Sequence, residues 1–235
     1  MGKVVNFQTA EARTLASGAS VVPIVDWFDG VEMMASVLRL VPGARHEVKV
    51  PAGSDQYLYV MSGEARLEGA AAALAADDWV LLEEGRTVTL SGAAEILAVT
   101  APPPGSGSKR EGFRGGLKVL RVRDQPVIDL PEEKKRRIYL ANRALAGSER
   151  GHAMIVRYTG ETLTKRHHHP NAESLFVILT GRVAFTIDGQ SHVLGAGEAA
   201  FFPANDSHGL RSADGQELSF LEFHIPGAFV TAYDE

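Results

Sequence analysis

Three consecutive histidines, His167, His168 and His169, stand in the stretch KRHHHPNAESLFVILTG, ahead of a proline, Glu173 and an apolar run that stops at Gly181. In an extended strand successive side chains alternate faces, so His167 and His169 point one way and His168 the other. Two imidazoles on one face make half of a metal site, and a third ligand has to arrive from elsewhere. His208 in GEAAFFPANDSHGL is the candidate. A strand ending at Pro203 and a turn built by Ala204, Asn205 and Asp206 would bring an imidazole back across a barrel. Three histidines, with or without a carboxylate, suit iron, manganese, nickel, zinc or copper. The chain has no cysteine, which removes thiolate ligands, thiol catalysis and disulfides together and leaves His, Asp and Glu as donors.

Further polar residues flank this group. Glu222 and His224 in LSFLEFHIPG share one strand face, as suits a general acid or base, and Arg157 and Tyr158 in MIVRYTGE stand on a strand leading into the histidines. Phe201, Phe202, Phe220 and Phe223 alternate so that some of them enter the barrel as core or pocket lining. The charge run EEKKRR, residues 132–137, reads as a solvated turn or short helix start. His46, beside Arg45, reads as a surface or loop histidine.

The elements that must position these residues are strands. Short β-branched and aromatic runs separated by turn residues recur along all 235 residues, and 24 Gly with 11 Pro favour turns over long helices. Asp188-Gly189 between AFTI and QSHVL predicts a hairpin over residues 182–194. The Pro-, Gly- and Ser-rich stretch APPPGSGSKREGFRGG, residues 101–116, breaks the composition near the midpoint. An ungapped internal repeat supports a boundary there. Residues 53–69 overlay residues 171–187, placing Asp55 on Glu173, Tyr57 on Leu175, Ser62 on Thr180 and Gly63 on Gly181. ADDWVLLEEG and GAGEAAFFPAN form a second pair. The expected organisation is all-β, with domains at 1–104 and 105–235. A net charge of −5 without a basic stripe gives no footprint for nucleic acid. The absence of a long apolar run predicts no membrane partner, and the polar N-terminal stretch points to a cytoplasmic protein.

The pattern of His167, His169, Glu173 and Gly181, followed by Gly197, Pro203, Asn205 and His208, resembles the two signature motifs of the cupin superfamily, and the duplication makes the chain similar to a bicupin. The resemblance implies two tandem double-stranded β-helix (jelly-roll) barrels, with one divalent transition metal, Fe, Mn, Ni or Zn, inside the second. Its ligand set would be His167, His169, His208 and Glu173. In the family's pattern the glutamate stands one place later, where this chain has Ser174, so either Glu173 reaches the metal or the site is a three-histidine one. The first half departs further, because the histidine slots hold Lys49 and Pro51, the glutamate slot Asp55 or Gln56, and the last slot falls near Val88. That barrel reads as degenerate. Similar proteins include dioxygenases, decarboxylases, isomerases and aminohydrolases, which points to a metal-dependent enzyme on a small organic substrate. The alternative is a non-catalytic ligand-binding or sensing module. A homodimer is implied by the resemblance alone.

Overall fold

A computed structural model describes residues 2–26, 28–68, 72–187 and 189–234. The chain forms two compact units, one of residues 10–125 with 146–150, the other of residues 1–9, 126–145 and 151–235. Strands dominate both, and among the described residues the only α-helix is the single turn Arg143–Ala146.

The unit that carries the histidines consists of two antiparallel sheets. The larger runs in the order Lys3–Asn6, Glu198–Phe202, Glu173–Thr180, Leu218–Ile225, His152–Tyr158, Lys135–Ala141 and Ile128–Leu130. The smaller runs Gln190–Gly195, Arg182–Ile187, His208–Ser212, Leu163–His168 and Ala232–Tyr233. Their inner faces meet over Phe176, Ile178, Val183, Phe185, Phe202 and Phe220, all buried. Phe201 and Phe223 are buried too, but alternation turns them to the other face of the larger sheet. Glu173–Thr180 is covered on both sides for most of its length, which is why its sequence is a continuous apolar run.

The expected hairpin forms: Arg182–Ile187 pairs with Gln190–Gly195, with Ile187 opposite Gln190. Asp188, half of its turn signal, lies outside the described residues, and Gly189 has φ +76. The charge run divides. Residues 131–133 make a 3₁₀ turn ended by Lys134 in the left-handed region, and the strand beginning at Lys135 then buries that lysine and half-buries Arg137.

In the other unit the long strands Asp55–Glu68 and Thr87–Ala101 pair along almost their whole length. Their inner side chains, among them Leu58, Val60, Leu90 and Ile96, form one core with Leu38 and Val80. The repeated segments share their local structure. A bulge between Val60 and Ser62 precedes Gly63 at φ +78, and a bulge between Ile178 and Thr180 precedes Gly181 at φ +75. A Cβ at these glycines would stand 2.1 Å from the Ala93 oxygen and 2.4 Å from the Glu217 oxygen, so neither position accepts a side chain. The second repeated pair matches as well: Asp78 accepts the Ala75 N–H at 2.9 Å, and Glu198 accepts the Gly195 N–H at 2.7 Å.

Residues 101–116 are held to this unit by side chains. Arg110 forks onto Glu32, the N–H groups of Gly115 and Gly116 donate to Glu83, and the Phe113 N–H donates to Asp55. Asp55 is fully buried and also accepts from the Ser148 hydroxyl at 2.5 Å and the Arg150 guanidinium at 3.0 Å, which returns residues 146–150 to the sheet. Removing one partner of a buried charge pair weakens the hold on the other, and Arg150 would keep Glu84, at 3.5 Å, as its acidic partner. Asp55→Ala is therefore expected to cost roughly 3–5 kcal/mol, read from the urea midpoint, with Ser148→Ala costing less.

Candidate metal centre

His167 and His208 are directly opposite across the pair formed by Leu163–His168 and His208–Ser212, with ring centroids 4.5 Å apart. His169 follows two residues after His167 on the same side, just beyond the strand, where its carbonyl accepts from the Asn205 N–H at 2.9 Å. Asn205 has φ 66, a left-handed turn conformation that asparagine tolerates well, and this turn delivers His208 to the strand opposite. His208 is then stacked on Phe202 at 4.2 Å.

Each of the three rings is fixed through Nδ1. His167 Nδ1 meets the Lys165 carbonyl at 2.8 Å, His208 Nδ1 the Asp206 carbonyl at 2.9 Å, and His169 Nδ1 the Val230 carbonyl at 2.9 Å. A carbonyl oxygen only accepts, so Nδ1 carries the proton and Nε2 keeps its lone pair. The three residues are 8%, 3% and 1% exposed for His167, His169 and His208. The Nε2 atoms of His169 and His208 are buried with no hydrogen-bond partner among the described residues. One ligand atom from each of the three residues lies within 4.8 Å of the other two. Buried nitrogens are almost always satisfied, and lone pairs aimed together at one point fit a divalent cation that prefers imidazole. Burial, first of all, lowers His169 to about 4 and His208 to about 3, with the neighbouring imidazoles adding to the effect. Both are neutral at pH 7, as ligation requires.

The segment after Ile225 completes the arrangement. Asn171 donates to the Ala228 carbonyl at 2.8 Å and accepts from the Val230 N–H at 2.9 Å, setting the carbonyl that orients His169. Phe229 stacks on His224 at 3.9 Å. His168 points away, as alternation requires, and binds Asp234 at 3.0 Å.

Beside the three histidines lies a cavity of about 280 Å³. His224 is buried on its wall with both nitrogens engaged, Nδ1 with the Ser174 hydroxyl at 3.0 Å and Nε2 with Glu222 at 2.8 Å. Burial acts to raise the Glu222 carboxyl, but the His224 hydrogen bond and the charges of His224, Arg137 and His152 outweigh it and hold the group below its ordinary value. Tyr158 also lines the cavity, its hydroxyl 3.0 Å from that of Thr164.

Two expected site residues are placed elsewhere. Arg157 is exposed on the outer face beside Arg136, because Val156 and Tyr158 take the inward positions of the same strand. Glu173 is buried opposite Ile225, on the face away from Ser174 and His224, and it is outside the three-histidine group. His46 also differs from expectation: it sits half-buried on the strand Arg45–Lys49 and lines a cavity of about 1070 Å³ in the other unit, with Gln56 and Thr100. Among the described residues that unit holds no metal-ligating cluster.

Three residues of the histidine cavity carry no sequence motif. His152 touches Tyr139 and Phe229 edge-on, and burial, with help from the His224 charge, lowers it to about 4. Lys135 and Arg137 come from the charge run, and the signal that could have found them is the alternation of Lys135, Arg137 and Tyr139 within one strand.

Residues 154–224 match the family model for the cupin domain. No curated protein matches the sequence. Solved structures resemble the whole chain. Oxalate decarboxylase from Bacillus subtilis, a protein with Mn(II) centres, is 16% identical with a TM-score of 0.71, covering 98% of this chain and 78% of that one. Oxalate decarboxylase from Lactobacillus farciminis, in complex with formate, is 13% identical with a TM-score of 0.72, covering 98% and 88%. Protein Ylba from E. coli is 14% identical with a TM-score of 0.77, covering 97% and 92%. At these identities the likeness is one of fold. No helix is long and apolar enough to cross a membrane among the described residues.

Two outcomes are expected. His208→Ala should abolish stoichiometric transition metal, read by elemental analysis of protein purified without chelators and with an unchanged circular dichroism spectrum; full metal retention would sink the three-histidine assignment. In metal-free protein, His152, His169 and His208 take up protons only near 4, 4 and 3, whereas an unfolded chain takes them up near 6.5. The unfolded state thus binds more protons between those values. Stability should be complete above about pH 6.5 and fall as pH drops toward 4. Thermal melts of chelator-treated protein check this, and a flat profile over that window would contradict it.

Proposed function

The chain carries a cupin domain in its histidine-bearing unit, and on that premise we propose that it is a metal-dependent enzyme which moves a proton on a small organic substrate, as a hydrolase, isomerase or lyase. The observation that carries this reading is the pairing of three converging Nε2 lone pairs with an adjacent Glu222–His224 hydrogen bond in one cavity. His167, His169 and His208 would hold the cation through Nε2, with Nδ1 already occupied by backbone carbonyls. A bound divalent transition metal supplies Lewis acidity, polarising a substrate oxygen or acidifying a water.

The remaining work belongs to the chain's own groups. Glu222, held ionised beside His224, is the proton acceptor. His224 is locked between Ser174 and Glu222, so it orients the carboxylate and can share the transferred proton through Nε2. Tyr158, tied to Thr164, presents a fixed phenol on the wall. Phe176, Phe220, Leu210 and Val156 keep the adjoining wall dry, which strengthens each polar contact inside. This acid–base pair favours proton-transfer chemistry over the dioxygenase and simple binding readings. The Mn(II) centres of the Bacillus subtilis oxalate decarboxylase make manganese the first metal to reconstitute.

Metal-reconstituted protein incubated with small keto, hydroxy and amido compounds should give new products by NMR, with deuterium from solvent entering the product. Glu222→Gln should then lower kcat by about 10²–10⁴-fold at unchanged metal content. Unaltered turnover in that variant, or product formation that consumes dioxygen, would overturn the proton-transfer reading.

A further inference from the structure

Arg137 is the cavity's one cation with neither a hydrogen bond nor an ion pair among the described residues. It stands on the strand Lys135–Ala141 between Lys135 and Tyr139, and all three line the cavity. Its Nε is buried without a partner. Other arginines of comparable or deeper burial are matched, Arg39 to Glu95, Arg110 to Glu32 and Arg150 to Asp55. Lys135 is matched as well, by Glu133. The other charge in the cavity, Glu222, is committed to His224. A buried guanidinium nitrogen left unsatisfied is costly, and here the guanidinium that carries it belongs to a residue lining the cavity.

The register fixes where that group lies. Arg137 is opposite Val156, which is opposite Phe220; one inward row further along stand Tyr139, Met154, Glu222 and Phe176; the next holds His152, His224 and Ser174. Same-face rows are about 7 Å apart, so the Glu222 row separates the Arg137 row from the His224 row. A substrate reaching from the histidine end toward Arg137 therefore passes Glu222.

We propose that the substrate is a small organic acid whose carboxylate is bound by the Arg137 guanidinium, leaving its reacting carbon beside Glu222. This rests on the cavity being the active site. Arg137 is a positioning residue in this scheme: a planar fork of N–H donors matches a carboxylate bidentately, and binding energy at the unreactive end holds the other end in place. With the three histidines neutral and a divalent cation in place, the cavity would carry net positive charge, which also selects an anion. The small volume limits the acid to a few carbons beyond its carboxylate.

The test is calorimetric titration of malonate, succinate and glyoxylate, with malonamide as the neutral control and sulfate as a competing anion. Chelator-stripped and manganese-loaded protein are compared, with metal content measured on the same samples. The wild type should bind at least one of the acids in both forms and ignore malonamide. Arg137→Met should weaken binding by at least about tenfold, and Arg137→Lys, which keeps charge but loses the fork, by an intermediate factor. Arg157→Met, on the outer face, should bind like the wild type. Arg137→Gln serves if the Met variant does not fold. Equal affinity in the Arg137 variants, no saturable binding of any acid, or sulfate binding in place of carboxylates would overturn the proposal. Loss of metal with anion binding intact would instead undo the catalytic reading and leave the anchor standing.

Discussion

Strand side chains alternate between two faces, and in the histidine-bearing unit the inner face is fixed by an aromatic core that cannot turn over. Phe176, Phe202 and Phe220 occupy inward positions of three neighbouring strands. Ser174, two residues before Phe176, and Glu222 and His224, two and four after Phe220, are thereby committed to the cavity side. A slip of one residue in any of these strands would carry Ser174, Glu222 or His224 to the opposite face of the sheet, away from the cavity. The chemistry thus inherits its geometry from apolar packing.

The same rule explains what could be read before the structure and what could not. His167, His169 and His208 were legible because spacing and a turn specify them locally. Glu222 and His224 followed from alternation within one strand. Arg157 was grouped with Tyr158 although neighbours on a strand cannot share a face, and the structure puts it outside. Glu173 and Ser174 presented the same two-way choice; the strand pairing turns Ser174 toward His224, information that resides in the partner strand and in no local motif. Arg137 was hidden by its neighbours, since a run of mixed charges resembles solvated surface until the register of the strand behind it is known. His152 stands by itself on its strand, with no motif that ties it to the other histidines of the cavity.

The first unit shows what the scaffold does when the ligands are absent. Gln56 and Thr100 occupy its counterparts of Ser174 and His224, opposite one another in the sheet, and they hydrogen-bond to each other at 2.7 Å. His46 lines the same cavity, and among the described residues no three-residue ligand group forms around it. The bulge and glycine at residue 63 match those at residue 181, while the paired polar residues are Gln56 and Thr100 here and Ser174 and His224 there. Fold and chemistry are separable here because different residues encode them.

The Val230 carbonyl that orients His169 lies 61 residues further along the chain. His167 and His208 meet across one strand pair, but the ring setting of His169 depends on the docking of residues 228–231. Any cation taken up by these three rings would therefore meet a finished site only after residues 228–231 have docked.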